Sequence, residues 1–203
     1  MGDQNEERTS EAVAILGRVN DAVQRVAELS AAGGAFAWSQ DNAAAVLLTL
    51  LHALEEALCF GLRRLSTFLF GPKDLLDLFG TVKTQVPTVR AILDFASSSS
   101  VHAQSVRGHG RVFLATALLK HALLPALQAL AQNKSVVAEY YEPWAVLRSP
   151  QLFASLAASL ELTAQCNFDS DDKAAGAFVQ RTDFDLAYPY VPGGAIEHPK
   201  PAP

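Results

Sequence analysis

The chain has 203 residues, of which 50% are hydrophobic, and it carries a formal net charge of −5. This length suits one domain with a full apolar core and gives no reason to expect two. The net negative charge argues against a general nucleic-acid-binding protein, because that function needs a basic surface.

The two ends of the chain differ in composition from its middle. Residues 1–8 are polar and acidic, and we expect them to be flexible, while residues 191–203 are rich in Gly and Pro and should be disordered. The longest apolar run, residues 43–54, is shorter than the roughly 20 residues that a membrane span needs. We therefore expect a soluble protein whose contact with membranes is peripheral.

Apolar residues at helical spacing predict a series of helices in chain order. The first covers residues 9–30 and has one buried stripe, and the second, residues 43–64, is apolar nearly all round and should be central. Two shorter helices follow at residues 73–79 and 88–96, the first of them after the break at Gly71-Pro72. Glu55 and Glu56 interrupt the second helix and need a cationic partner, for which Arg63, Arg64 and Arg111 are available.

A basic, glycine-rich stretch, Arg107-Gly108-His109-Gly110-Arg111, precedes the next helix. Its two glycines favour a turn with positive φ. Cations at the entrance of a helix oppose the helix dipole. The stretch therefore predicts either a buried carboxylate partner for Arg111 or a basic surface for an acidic partner. The helix that follows, residues 112–130, contains Phe113 on its apolar side and Pro125 as a kink or break.

A group of aromatic residues, here called the aromatic block, follows a further short helix. Tyr140, Tyr141 and Trp144 surround Pro143, which turns the chain away from the helical conformation. These rings fit either core packing or the lining of a ligand pocket, and core packing is the commoner role. A last helix begins near Pro150 and repeats leucine at helical spacing.

The predicted fold class is all-α, a single globular bundle of about seven to nine helices in residues 9–190. Cys59 and Cys166 lie in apolar helical patterns and indicate buried free thiols. The five histidines lie far apart, and enzyme motifs are missing. We expect no catalytic residue, no metal and no cofactor.

Four blocks in series resemble the RUN domain family. They are Leu54-Glu55 with Leu58-Cys59-Phe60-Gly61-Leu62-Arg63; Gly71-Pro72 with Leu78-Phe79; Gly108-His109-Gly110-Arg111-Val112-Phe113; and Glu139-Tyr140-Tyr141-Glu142-Pro143-Trp144. His109 stands where Arg or Lys is usual in the family. Because of Phe113 and the segment Phe184-Asp185-Leu186, the chain is most similar to the FYVE-and-coiled-coil and RUN-and-FYVE adaptor subgroups.

The resemblance implies a non-catalytic, cytoplasmic module that binds a small GTPase of the Arf-like, Rab or Rap kind in its GTP state. Such modules sit in adaptors that link endosomes, lysosomes or other vesicles to motor proteins. The residues implied in GTPase binding are Arg111, with His109 and Arg107 beside it, and Arg63, Arg64 and Lys120 as weaker candidates. An ion pair between Arg111 and Glu55 or Glu56 is the alternative structural role.

Two other function classes stay open at this point. The leucine-rich all-α chain could enclose an acyl chain as a lipid-binding or lipid-transfer protein. It could also be a structural domain that dimerises through residues 9–30. If His109 lies in an interface, binding should strengthen at acid pH, because a histidine gains charge below about pH 6.5.

Overall fold

A computed structural model of the chain describes residues 2–33, 41–63, 74–98 and 103–166, together with Phe168, Phe178 and residues 182–185. Within these residues the chain forms α-helices and one short 3-10 helix, and none of them belongs to a β-strand. The prediction of an all-α bundle is confirmed. The helices are α1 Gly2–Gly33, α2 Asp41–Cys59, α3 Leu75–Gly80, α4 Pro87–Ser98, α5 Val106–Leu119, α6 Leu123–Gln132, α7 Lys134–Tyr140 and α8 Pro150–Thr163, with the 3-10 helix at Val146–Arg148.

Helix α2 packs against both α1 and α5. Its leucines Leu47, Leu50, Leu51, Leu54 and Leu58 are all buried. Burying one such side chain contributes about 1.5–3 kcal/mol. The apolar stripe of α1 faces α2 and α8, so the first and last helices of the bundle lie side by side.

Helix α1 begins at Gly2 rather than near Thr9, the predicted start. No Pro or Gly lies between these two positions to stop the helix. Arg8 forms an ion pair with Glu11 at 2.9 Å and lies 5.3 Å above the ring of Trp144. The domain limits at residues 9 and 190 stay predictions, and residues 191–203 lie outside the described residues.

Helix α2 ends at Cys59, five residues before the predicted end. The reason is Gly61, whose φ of 76° belongs to the left-handed region and stops a right-handed helix. The early end leaves Cys59 exposed, so the prediction that this thiol is buried is wrong. Cys166 is buried, as predicted. The Gly71-Pro72 break lies outside the described residues.

The predicted helix over residues 112–130 is two helices, α5 and α6, that meet at a bend of 108°. In a continuous helix the ring of Pro125 would clash with the carbonyl four residues earlier, at His121. The chain breaks at that point, where His121 has a φ of 52°. Pro125 then lies in the first turn of α6, where its missing N–H costs no hydrogen bond. Among the described residues no single helix is long and apolar enough to cross a membrane, and α5 and α6 meet that test only as a bent pair.

Candidate functional site

One buried carboxylate, Glu55, joins two arginines of α5. Arg107 Nε donates to Oε1 of Glu55 at 2.6 Å, and Arg111 Nε donates to Oε2 at 2.9 Å. The two arginines are four residues apart, so they lie on the same side of α5. Arg111 is 3% exposed and also donates through Nη1 to the carbonyl of Phe184 at 2.8 Å. Glu55 is therefore the carboxylate partner of Arg111.

The two arginines differ in access to solvent. The side chain of Arg107 is 53% exposed, whereas Arg111 and Glu55 are each 3% exposed. A buried charge is tolerated only when it is paired and hydrogen-bonded. Arg111 and Glu55 thus form the interior of the cluster, and Arg107 brings its positive charge to the surface.

The glycine-rich basic stretch is part of α5 and does not form a turn. The helix begins at Val106 with Ser105 as its N-cap, and the Ser105 hydroxyl accepts a hydrogen bond from the amide of Gly108 at 2.9 Å. The prediction of positive φ at Gly108 and Gly110 is wrong. At Gly108 the need for glycine comes from close packing, because a Cβ there would lie 2.8 Å from Cβ of Ala103 and still nearer to the carboxylate of Asp185.

The carboxylate of Asp185 accepts hydrogen bonds from the residues at the N-terminal end of α5. Its Oδ2 accepts from the amide of Gln104 at 2.5 Å, and its Oδ1 accepts from the amide of Ser105 at 3.1 Å and from the Ser105 hydroxyl. The hydroxyl of Ser105 and the amide of Gln104 lower the pKa of Asp185 below its usual value. An anion at this position also has a favourable interaction with the helix dipole.

His109 influences two carboxylates on different elements. Its Nε2 is shielded from solvent and has no hydrogen-bond partner among the described residues. Burial raises the pKa of Asp74, the N-cap of α3, and the charge of His109 works against that rise. The same charge helps to lower the pKa of Asp185. His109 therefore interacts electrostatically with both α3 and the segment that contains Asp185.

Replacing Gly108 with Ala is expected to lower the free energy of unfolding by about 1–3 kcal/mol, because the added methyl group overpacks the contact with Ala103 and displaces Asp185. Gly110 is the matched control in the same helix. A Cβ there meets Leu75 at an ordinary 3.7 Å, so Gly110→Ala should be neutral or stabilising by up to about 1 kcal/mol. Urea unfolding measures both variants, and equal effects would contradict the packing explanation.

The aromatic block packs against the end of α2. Tyr141 is fully buried, and its hydroxyl donates to the carbonyl of Leu58 at 2.7 Å. Burial raises the pKa of Tyr141 well above its ordinary value. The backbone continues the contact, since the amide of Arg63 donates to the carbonyl of Tyr140 and the amide of Glu142 donates to the carbonyl of Gly61, each at 2.8 Å.

The remaining rings of the block also act in packing. Trp144 meets Phe60 edge to face with 5.0 Å between ring centroids. On the neighbouring helices, Phe113 and Phe79 stack at 4.5 Å. Tyr140 and Tyr141 are both buried. Of the two roles left open by the sequence, these contacts support core packing.

Two of the other cations proposed from the sequence, Lys120 and Arg63, lie within the described residues. Lys120 follows the last residue of α5 and lies about 20 Å from Arg107 along the helix axis, at about 1.5 Å per residue. Arg63 pairs with Glu142 at 3.2 Å, next to the aromatic block. Arg64 lies outside the described residues. Of the residues proposed from the sequence, the structure therefore joins Arg107 and Arg111 through Glu55, while His109 interacts with other carboxylates.

Sequence reasoning missed three residues: Arg18, Ser105 and Asp185. Arg18 of α1 pairs with Glu56, with distances of 2.6 and 3.1 Å. Ser105 and Asp185 hydrogen-bond to each other at the N-terminal end of α5. Ser105 carried a signal, because serine directly before a helix is a common N-cap. The pairing of Arg18 and the position of Asp185 depend on contacts between distant parts of the chain.

A groove of about 570 Å³ lies on another face of the bundle. It is lined by Gln85, Pro125, Gln128, Ala129, Gln132 and Asn133. A lining so rich in amides is unsuited to an acyl chain, which needs an apolar enclosure. Within the described part of the chain, no three His, Cys, Asp or Glu residues are grouped so as to hold a metal ion.

The chain matches a known protein family. The model of the RUN domain family matches residues 49–174, which is more than half of the chain. The matched region contains Glu55, the basic stretch of α5 and the aromatic block, and it ends before Phe184 and Asp185. A comparison with curated proteins found no match.

Proposed function

The chain belongs to the RUN domain family, and on this basis we propose that it binds a small GTPase in its GTP-bound state. RUN domains are protein-interaction modules, and members of the family bind small GTPases. The proposal assigns the GTPase to the Arf-like, Rab or Rap kind. It assigns the protein to the FYVE-and-coiled-coil or RUN-and-FYVE type of adaptor.

The observation that carries the proposal is that Glu55 binds two arginines of different solvent exposure. Each oxygen of this carboxylate holds one arginine, so that Arg111 is buried while Arg107 is half exposed in a defined orientation. An arginine fixed in this way loses less conformational entropy when it binds a carboxylate of a partner. We assign contact with the GTPase to Arg107, and to Arg111 the role of positioning Glu55.

A domain that binds the switch regions of a GTPase can distinguish the GTP state from the GDP state without contacting the nucleotide. These regions become ordered around the γ-phosphate, so their acidic and polar side chains adopt one arrangement only in the GTP state. A single exposed arginine in a fixed position suits such a surface, because complementary charge supplies specificity and a fast association rate. No catalytic residue is part of the proposal.

Replacing Arg107 with Ala is expected to weaken binding of the GTP-bound partner at least tenfold, because truncating one member of a desolvated charge pair costs about 2–5 kcal/mol. Arg25→Ala is the matched control, since Arg25 is an exposed arginine of α1. Binding is measured by calorimetry after a pull-down against GTPases loaded with GTP or GDP analogues. Wild-type affinity in Arg107→Ala would refute the site, and a panel without any GTP-dependent binder would refute the function.

The proposal also places the protein at the cytoplasmic face of endosomal, lysosomal or other vesicle membranes, to which the GTPase would recruit it, with motor proteins as further partners. Imaging of the tagged chain beside Arg107→Ala tests the recruitment. The chain should leave the membranes when the arginine is lost, and unchanged localisation would speak against GTPase-dependent recruitment.

A further inference from the structure

The segment around Phe184 and Asp185 lies beyond the family match at residues 49–174 but binds to residues within it. The Phe184 side chain is fully buried and meets Phe178 edge to face at 6.3 Å. Its carbonyl accepts a hydrogen bond from Arg111, and the next residue, Asp185, accepts three from Gln104 and Ser105. The domain therefore binds this segment through the Phe184 side chain, the Phe184 carbonyl and the Asp185 carboxylate.

These three kinds of contact are the ones by which proteins recognise short peptides. A buried aromatic side chain provides an anchor, and hydrogen bonds to the backbone and to a carboxylate fix the register. The contacts come from two adjacent residues, so they define a dipeptide in a fixed order. We propose that the surface formed by Gln104, Ser105, Gly108 and Arg111 is a peptide-binding site for an aromatic residue followed by aspartate, and that Phe184 and Asp185 occupy it as a tethered ligand.

The geometry also selects aspartate over glutamate. The carboxylate of Asp185 rests against the bare backbone of Gly108, where even a Cβ would collide with it. Its two oxygens reach the amides of Gln104 and Ser105 at 2.5 and 3.1 Å. One more methylene group would carry the carboxylate oxygens past the positions at which they meet these two donors while the aromatic anchor stays in place.

A tethered ligand blocks other ligands from the site that it occupies. Because both partners belong to one chain, the effective concentration of the segment is on the order of millimolar or higher, and a free peptide must compete against it. The site is therefore masked in the unmodified chain, and it opens to ligands from outside only when the tethered contacts are lost. Aromatic–aspartate segments of other proteins are then potential ligands.

The test uses the full chain and a fluorescent peptide of residues 178–190. In the variant Phe184→Ala/Asp185→Ala the tethered ligand is disabled, and the peptide should bind at least tenfold more tightly than to the unmodified chain. Asp185→Ala alone serves as a second receptor in case the double variant does not fold. Asp21→Ala, an exposed change on α1, is the control that should behave as the unmodified chain. Fluorescence anisotropy gives the affinities.

Three altered peptides decide the specificity. Peptides with Phe184→Ala, with Asp185→Ala or with Asp185→Glu should each lose at least tenfold in affinity for the opened receptor. Failure of the unaltered peptide to bind either opened receptor would overturn the proposal, as would equal binding of all peptides. No GTPase enters the assay, so the outcome is independent of the proposed function.

Discussion

Replacing Glu55 with Gln is expected to lower the free energy of unfolding by about 3–5 kcal/mol, because it leaves the charge of Arg111 buried without its partner. The amide group of glutamine would also face an N–H donor of one arginine, where the carboxylate offers an acceptor to each. Equilibrium unfolding in urea measures the loss. We further expect Arg107 to lose its fixed orientation, so that partner binding weakens as well.

The adjacent residue provides the control for this prediction. Glu56 carries the same charge on the same helix and also pairs with an arginine, but Arg18 is 53% exposed and Glu56 is 26% exposed. Exposed pairs contribute about 0–1 kcal/mol, so Glu56→Gln should change stability by no more than that. Similar losses for the two substitutions would show that burial is not what makes the Glu55 cluster important.

Replacing Gly61 with Ala is expected to lower the free energy of unfolding by about 2–5 kcal/mol, the sum of two separate costs. A residue with a side chain pays about 1–2 kcal/mol in the left-handed region that Gly61 occupies. The new Cβ would also lie 2.7 Å from Cβ of Ala145 and 2.8 Å from the ring of Trp144, and such overpacking costs about 1–3 kcal/mol. Thermal or urea unfolding measures the change.

Gly17→Ala is the control for the general effect of adding a methyl group. Gly17 lies within α1, and a Cβ there would meet nothing within 4 Å. This substitution should stabilise the protein by about 0.5–1 kcal/mol, because alanine favours the helix. If Gly61→Ala were equally harmless, the end of α2 and the aromatic block could not be packed as closely as described.

Much of the architecture follows from local patterns in the sequence. The spacing of apolar residues in α1 and α2 predicts helices, since packing on one side is all that such a pattern requires. The charge of Arg111 at the start of α5 predicts either a buried carboxylate partner or a basic surface, and the structure shows the carboxylate partner, Glu55. The family resemblance rests on the same blocks that pack together in the structure.

Other features depend on contacts that no local pattern contains. Pro125 indicates a break, but only the clash with the carbonyl at residue 121 places that break four residues earlier. Gly108 suggests a turn, although its role is to admit Asp185, which follows 77 residues later. Glu56 could have paired with any nearby arginine, and its partner Arg18 is chosen by how α1 packs on α2.

The contact between α1 and α8 has a consequence for how the protein is made. Ser159 of α8 donates a hydrogen bond to Asn20 of α1, across 139 positions of the chain. At synthesis rates of about 5–20 residues per second, the ribosome needs about 7–28 s to produce the partner of Asn20 after Asn20 itself. During that interval the apolar stripe of α1 lacks the part of its cover that α8 supplies, so the nascent chain offers chaperones a hydrophobic helix until α8 emerges.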